Sequence, residues 1–333
     1  MNLAKMKARL TPIAAIVQAN IGDAFNLDAL ANLFLKVEDL DRITPAIEQT
    51  LDYAKFIPVT PVNAVYGGGE VLIQKVGVGK GRDHTGTGKD IPLAEVVYGQ
   101  IVLPVKLGSI GYRYSLAELE AATAAGLTLE SDKVDAARLA AELHLADVAW
   151  YGYKSANKST GEVTRVNGMV NQDGVTVVLS TNNWATATIE QIMTDVNNAL
   201  SDASTAFDES GIAIQPDTFL LASTQYMHLS TRMVADSGGK TFLKYVEENN
   251  IFATQGKPIT FRGSARPVGK GTGGVDRSII YRRDASCITF KCNEVDFLAA
   301  QPDGLDVLVP GSYKYQGTFL KRVDSMRYLD HAA

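Results

Sequence analysis

The chain is poor in the residues that staple, ligate metal or span a membrane. Only two cysteines, Cys287 and Cys292, occur in 333 residues. Five positions apart on a stretch that reads as a strand, they point to opposite faces, which argues against a mutual disulfide. They read as buried or half-buried thiols of a reducing compartment. The histidines are His84, His144, His228 and His331, and none stands at H-x-x-x-H or H-E-x-x-H spacing, so metal-assisted hydrolysis lacks its ligands. No G-x-S-x-G elbow offers an acyl-transfer nucleophile. No window approaches the roughly 18 apolar residues of a membrane span. Lys5, Lys7 and Arg9 before Ile13 to Ala19 imitate a signal peptide, but Pro12, Gln18 and Asn20 interrupt the apolar run, and the expectation is a soluble protein of intracellular origin. A basic excess is also missing. The net charge of −5 argues against a dedicated nucleic-acid binder and leaves room for a non-specific contact through one local basic face.

What the chain does have is an unusual stretch from Tyr66 to Tyr153. It starts as a long hairpin with β-branched arms, Val71 to Val78 and Val96 to Leu107, around a polar tip from Gly77 to Asp90. The tip holds Gly77, Gly79, Gly81, Gly86 and Gly88 with the basic Lys80, Arg82, His84 and Lys89. Such arms and punctuation predict two strands and a mobile loop. A lone two-stranded ribbon is marginal in water, so a partner chain is the simplest support for it. Ser115 and Glu118 form a capping box that opens a helix running to Gly126. A longer helix follows from about Leu129 to Tyr153, with Val134, Ala137, Ala141, Leu145 and Val148 in one apolar stripe and Leu139, Leu143, Ala146 and Trp150 in another. Its length of roughly 37 Å makes it a spine.

Before the hairpin, residues 1–62 read as an arm of two short helices, one carrying Leu27, Leu30, Phe34, Val37 and Leu40, the other capped at Thr44-Pro45. Pro58 and Pro61 force extended chain after it. Beyond the spine, 154–161 is polar and turn-rich, and Gly168 to Leu179 predicts a ribbon turning at Asp173-Gly174. A helix follows within Asn182 to Phe207, then a buried strand Thr218 to Ala222, a helix capped by Ser223 or Thr224, and a helix Phe242 to Asn249. This alternation predicts a compact α/β or α+β domain over about 181–285. The remainder reads as strands: Arg277 to Arg283, Ser286 to Phe297 and Lys314 to Tyr328.

Phosphate-binding motifs fail on inspection. A P-loop needs a Gly five residues before Gly-Lys and a Ser or Thr after it. Gly88-Lys89 meets Asp83 and Asp90, while Gly79-Lys80 and Gly269-Lys270 meet Gln74 and Ser264 and continue into Gly. Gly269, Gly271 and Gly274 satisfy G-x-G-x-x-G, but a dinucleotide site needs a helix next, and Val275 to Arg283 reads as a strand. Glu118, Glu120 and Glu142 read as capping and solvated helix residues, not as an acid–base pair.

In order, the chain carries L-D-Y-A-K-F-I-P-V (Leu51 to Val59), K-D-I-P (Lys89 to Pro92), Y-x-Y-S-x-x-E-L (Tyr112 to Leu119), G-L-x-L, K-x-x-A-A-R-x-A-A-E (Lys133 to Glu142) and W-Y-G (Trp150 to Gly152). Over nearly its whole length it resembles tailed-phage major capsid proteins of the Hong Kong ninety-seven type. The resemblance implies an α+β capsid fold: N-terminal arm 1–62, extended β-hairpin loop 63–108, peripheral domain with the spine helix 109–180, axial domain 181–285, and returning peripheral strands 286–333. It implies a structural subunit that self-assembles into hexamers and pentamers of an icosahedral head around double-stranded DNA. No catalytic residue, metal or cofactor comes with it. Implied partners are copies of the chain, portal and scaffold or decoration proteins, and packaged DNA by non-specific contact, with no membrane; the virion is the destination and the host cytoplasm the place of assembly. Lys80, Arg82, His84, Lys89 and Asp90 at the loop tip would be inter-subunit contacts. The short arm points to a separate scaffold protein or none. Alternatives are an encapsulin-like cargo shell and, from another class, a nucleotide-binding enzyme using the Gly-rich loops.

Overall fold

A computed structural model describes residues 53–65, 69–78, 95–125, 129–156, 163–205, 214–235, 237–304 and 306–332. The arm helices expected before residue 53 lie outside them. In order, the elements are α1 (Tyr53–Phe56), β1 (Val59–Thr60), β2 (Gly69–Val78), β3 (Glu95–Pro104), β4 (Lys106–Ser115), α2 (Leu116–Ala125), α3 (Leu129–Tyr151), β5 (Gly152–Ala156), β6 (Val163–Asn167) and β7 (Val177–Leu179). Then come α4 (Ile189–Thr205), β8 (Thr218–Ala222), α5 (Ser223–Thr231), α6 (Phe242–Asn249), α7 (Ile251–Thr254), β9 (Thr260–Ser264), β10 (Arg277–Tyr281), β11 (Ile288–Cys292), β12 (Asp296–Phe297), β13 (Gln301–Asp303), β14 (Asp306–Leu320) and β15 (Met326–Asp330). The described residues fall into two compact units. The smaller takes Ser109–Glu142 and Val295–Ser312; the larger takes Asp52–Gly108, Leu143–Glu294 and Tyr313–Ala333.

The larger unit is built on a five-stranded sheet in the order β7-β15-β10-β8-β9. β10 runs antiparallel to β8 and β15, while β8 pairs parallel with β9 and β15 parallel with β7. Thr218 to Ala222 is buried at every position, and Phe219 to Ala222 is apolar throughout instead of alternating, as in a strand covered on both faces. Ile192, Val196 and Leu200 of α4, Leu229 of α5, Val246 of α6 and Phe252 of α7 pack on Phe219, Leu221, Ile280 and Leu329 of the sheet. Asp195, buried on α4, orders the chain that enters this helix: it accepts from Ser180 Oγ at 2.7 Å, Trp184 Nε1 at 3.1 Å and Asn182 Nδ2 at 3.2 Å.

The spine helix α3 buries Ala137, Ala141, Leu145 and Val148 of the first stripe and Ala146 and Trp150 of the second, while Leu143 stays exposed. It ends two residues earlier than expected because Gly152 turns the chain at φ +72° directly into β5. A Cβ on Gly152 would collide with the Val166 carbonyl oxygen, and one on Gly168 with the Trp150 backbone, so the W-Y-G turn needs glycine at both crossings. The L-D-Y-A-K-F-I-P-V segment is an anchor. β1 pairs parallel with β11, Tyr281 Oη donates to the Phe56 carbonyl at 2.8 Å, the Phe56 ring meets Trp150 edge-on at 5.6 Å, and Asn293 bonds both backbone groups of Val62.

In the smaller unit the capping box forms as read: the Ser115 amide donates to Glu118 Oε2 at 3.2 Å and the Glu118 amide to Ser115 Oγ at 3.1 Å. Lys133 of α3 closes it, donating at 2.8 Å both to Glu118 Oε2 and to the Arg113 carbonyl. The lysine bond, then the Ser115 amide, hold the Glu118 carboxyl below its usual range. Arg113 reaches Asp303 at 3.2 Å and Asp306 at 3.5 Å, and the Tyr112 ring meets Phe297 edge-on at 5.7 Å.

Several local expectations are corrected. No ribbon turns at Asp173-Gly174: Val177–Leu179 pairs with β15, and the hairpin of this region is β5/β6, one strand of which lies in the stretch read as polar turn. Ser223 and Thr224 do not cap α5; the cap position is Ala222 without a side-chain bond, and Thr224 Oγ1 donates to Asp276 instead. Lys314 to Tyr328 is not one strand. β14 ends at Leu320, a short 3-10 turn intervenes at Val323–Ser325, and β15 joins the five-stranded sheet while β14 pairs with β11. The sequence marks the break: Phe319-Leu320 and Lys321-Arg322 interrupt the alternation, and Val323 and Met326 stand three apart.

Candidate functional site

The expected site residues Lys80, Arg82, His84, Lys89 and Asp90 lie outside the described residues. The ribbon that leads to them is described. β2 and β3 pair antiparallel over ten positions, from Gly69↔Pro104 to Val78↔Glu95, and form a sheet of their own. At about 3.4 Å per residue each strand is roughly 34 Å long. Leu107, read as part of this arm, belongs to β4, which pairs with β14.

The second candidate was the G-x-G-x-x-G loop. Gly269 to Gly274 precedes strand β10, and the loop is filled by the chain's own carboxylates. The Gly269 amide donates to Asp276 Oδ1 at 3.0 Å and the Thr272 amide to Asp330 Oδ2 at 2.8 Å. A phosphate entering here would meet two carboxylates, not free amides. Asp276 also accepts from Thr224 and, at 3.1 Å, from Gln225 Nε2. Burial pushes its carboxyl up, but these bonds outweigh it and hold the group below its usual range.

Behind the loop lies a buried ion pair that no motif announces. Arg277 donates to Asp330 twice, Nε to Oδ1 at 2.7 Å and Nη2 to Oδ2 at 2.8 Å, and its Nη1 donates to the Val170 carbonyl at 2.8 Å. The guanidinium sits 4.4 Å from the Tyr328 ring centroid. Burial opposes ionisation of Asp330, but the Arg277 and Thr272 bonds hold its carboxyl below the usual range. Next to it His331 is buried against Trp184 at 4.5 Å, with Nε2 sharing a 2.7 Å hydrogen bond with Ser278 Oγ. Burial pushes its pKa down to about 4, against the pull of Asp276, Asp195 and Asp330. His144 pairs with Tyr313 at 2.8 Å, and among the described residues no cluster of His, Cys, Asp or Glu could hold a metal. Cys287 and Cys292 are both buried and are not joined in a disulfide. These groups order the interior of the larger unit.

A family profile described as major capsid protein matches residues 83–331. The chain belongs to the major capsid protein family. Solved structures agree on the fold. The capsid of Myoviridae phage XM1 matches with TM-score 0.65 at 14% identity, covering 85% of this chain and 92% of that one. The capsid of a native GTA particle matches with TM-score 0.56 at 12% identity over 85% and 91%, and Mycobacterium phage Bobi with 0.53 at 12% identity over 98% of both chains. No curated protein sequence matches. The fold is therefore the α+β, Hong Kong ninety-seven-like fold, and the role is that of a structural protein of the capsid shell, placed in the virion. No helix among the described residues is long and apolar enough to cross a membrane.

Proposed function

We propose that this chain is the shell subunit of a tailed-phage head, assembling as hexamers and pentamers into an icosahedral shell around double-stranded DNA. The observation that carries the reading is the β2/β3 ribbon, which among the described residues forms a sheet with nothing but itself. Two strands alone do not stabilise each other in water, and a neighbouring subunit supplies the missing surface. In this reading 63–108 is the extended loop reaching over that neighbour, with Lys80, Arg82, His84, Lys89 and Asp90 as its contacts. Residues 1–62 form the arm, 109–180 and 286–333 the peripheral domain, and 181–285 the axial domain at the centre of each capsomer. Portal and scaffold or decoration proteins complete the particle in the host cytoplasm, and the contact with DNA is independent of sequence.

Electron microscopy of the purified protein, alone and after slow concentration, tests the reading. Closed shells or rings of five and six are expected. A monomer that stays monomeric with scaffold protein and crowding agent added overturns it. Shells carrying a loaded protein cargo and no nucleic acid would shift the assignment to a cargo compartment.

A further inference from the structure

Five cations collect at one end of the five-stranded sheet. β8 and β9 begin there and β10 ends there, with Thr218 opposite both Thr260 and Tyr281. Phe261 and Ile280 face the helical core, so the period of two places Arg262 and Tyr281 on the other face. Arg262 Nη1 donates at 3.1 Å to the Lys55 carbonyl, and Arg283 Nη2 donates at 3.1 Å to the Ala54 carbonyl, so both guanidiniums bond the backbone of α1. Arg282 is adjacent, and Lys257 reaches Gln215 Oε1 at 2.8 Å on the irregular segment leading into β8. Lys55, Lys257, Arg282 and Arg283 are exposed and Arg262 half-buried.

Elsewhere in this unit three arginines are neutralised, Arg266 by Asp147, Arg277 by Asp330 and Arg327 by Asp202, while Arg232 donates to the Trp184 and Ala187 carbonyls. None of these five cations takes part in an ion pair among the described residues. Two carboxylates lie nearby, Asp217 accepting from the Arg283 amide at 2.8 Å and Asp284 from the Ser286 amide at 2.7 Å, and Asp284 also feels the charge of Arg282 without a contact ion pair. In a chain of net charge −5 this is a local reversal of sign, carried by α1, β9 and the segments that flank β9 and β10. Its neighbours, Gln215, Asp217, Thr218 and Thr260, are polar, and three of its five cations are the planar forks that suit phosphate oxygens.

We propose that this edge, formed by Lys55, Lys257, Arg262, Arg282 and Arg283, binds the phosphate backbone of duplex DNA. The inference rests on the reading of a DNA-enclosing shell and adds to it the residues that would face the genome. Each phosphate neutralised contributes roughly −0.9 to the slope of log K against log salt. The test is binding of a labelled mixed-sequence duplex of about 30 base pairs to the full chain over a salt series, with shell formation followed in parallel by electron microscopy. R262Q/R283Q is expected to reduce the slope by about 2 and R262K/R283K to restore it. K257Q/R282Q, which leaves the bonds to α1 intact, is expected to reduce the slope similarly if R262Q/R283Q does not fold. Shells of normal yield with unchanged slopes in both glutamine variants overturn the edge assignment alone. Tighter binding of polyglutamate than of DNA also overturns it, in favour of an acidic protein partner. Failure of the wild-type chain both to assemble and to bind DNA counts against the shell reading beneath it.

Discussion

Removing Arg277 leaves the Asp330 carboxylate buried with the Thr272 amide as its remaining strong donor. The pair is side-on and bidentate at 2.7 and 2.8 Å, with side chains 10% and 1% exposed. Breaking such a pair by deleting one partner costs about 3–5 kcal/mol, because the survivor keeps its desolvation penalty without its counter-charge. We expect R277M at the upper end of that range. D330N should cost less, roughly 2–3 kcal/mol, since Arg277 retains the Val170 carbonyl and the Tyr328 ring. The double variant R277M/D330L carries no buried charge and should lie well below the sum of the singles, with a coupling energy of about 2 kcal/mol or more. Urea unfolding at pH 7 followed by tryptophan fluorescence measures this. Both tryptophans, Trp150 and Trp184, are buried in the same larger unit as the pair and change environment when it opens. With an m-value near 3 kcal/mol/M, R277M should lower the midpoint by about 1 M or more. An R277M loss below about 1 kcal/mol, or a double variant equal to the sum of its singles, would refute the claim that the pair is desolvated and coupled.

Acidification should destabilise the larger unit before its carboxylates protonate. The folded pKa of His331, about 4, lies below its unfolded value of 6.5, so the unfolded chain binds the extra proton. Stability is then full above pH 6.5 and falls as pH drops toward 4, by about 3 kcal/mol in all, and H331Q should flatten that part of a stability–pH curve. Asp330 and Asp276 are also held below their ordinary values, so they act in the same direction, but their contribution is lost only at lower pH, as it falls below the ordinary carboxylate range. G152A should cost roughly 3 kcal/mol in the same urea assay, because alanine must adopt φ +72° and displace the Val166 carbonyl; a loss within 0.5 kcal/mol would contradict the packing described. Deleting Gly77 to Asp90 should leave the urea midpoint of the larger unit unchanged while shell yield in electron microscopy collapses. Shells of normal yield would remove the role given to the loop.

Elements fixed by local chemistry were legible in the sequence. Thr218 to Ala222 and Phe242 to Asn249 appear with the bounds read from their apolar spacing, and the Ser115–Glu118 box forms because both partners sit three residues apart. What failed depended on partners far away in sequence. Thr224 looked like a cap until Asp276, 52 positions on, took its hydroxyl. Val177 to Leu179 looked like half a local ribbon, but its partner is β15 near the other end of the chain. The Arg277–Asp330 pair, 53 positions apart, leaves no periodic signal at all. The family motifs mark geometry of this kind: W-Y-G ends the spine with a turn that only glycine accommodates, and the Tyr53 to Val59 part of L-D-Y-A-K-F-I-P-V is held by Tyr281, Trp150 and β11.

The same buried charges explain why a glycine-rich loop in this chain carries no ligand chemistry. A loop such as Gly269 to Gly274 attracts anions because its amides lack internal partners. Asp276 and Asp330 supply those partners from within the chain, and Arg277 neutralises one of them from behind. An anion site satisfied this way becomes a rigid corner between β10 and β15. The cations at the far end of the same sheet meet neutral acceptors, the Lys55 and Ala54 carbonyls and Gln215, which leaves their charge available to a partner from outside. The two ends thus differ in kind, and the difference is measurable. D276N should lower stability without altering DNA binding, whereas R282Q should weaken DNA binding at constant stability. If both variants moved both quantities together, the separation of a structural end from a binding end would be wrong.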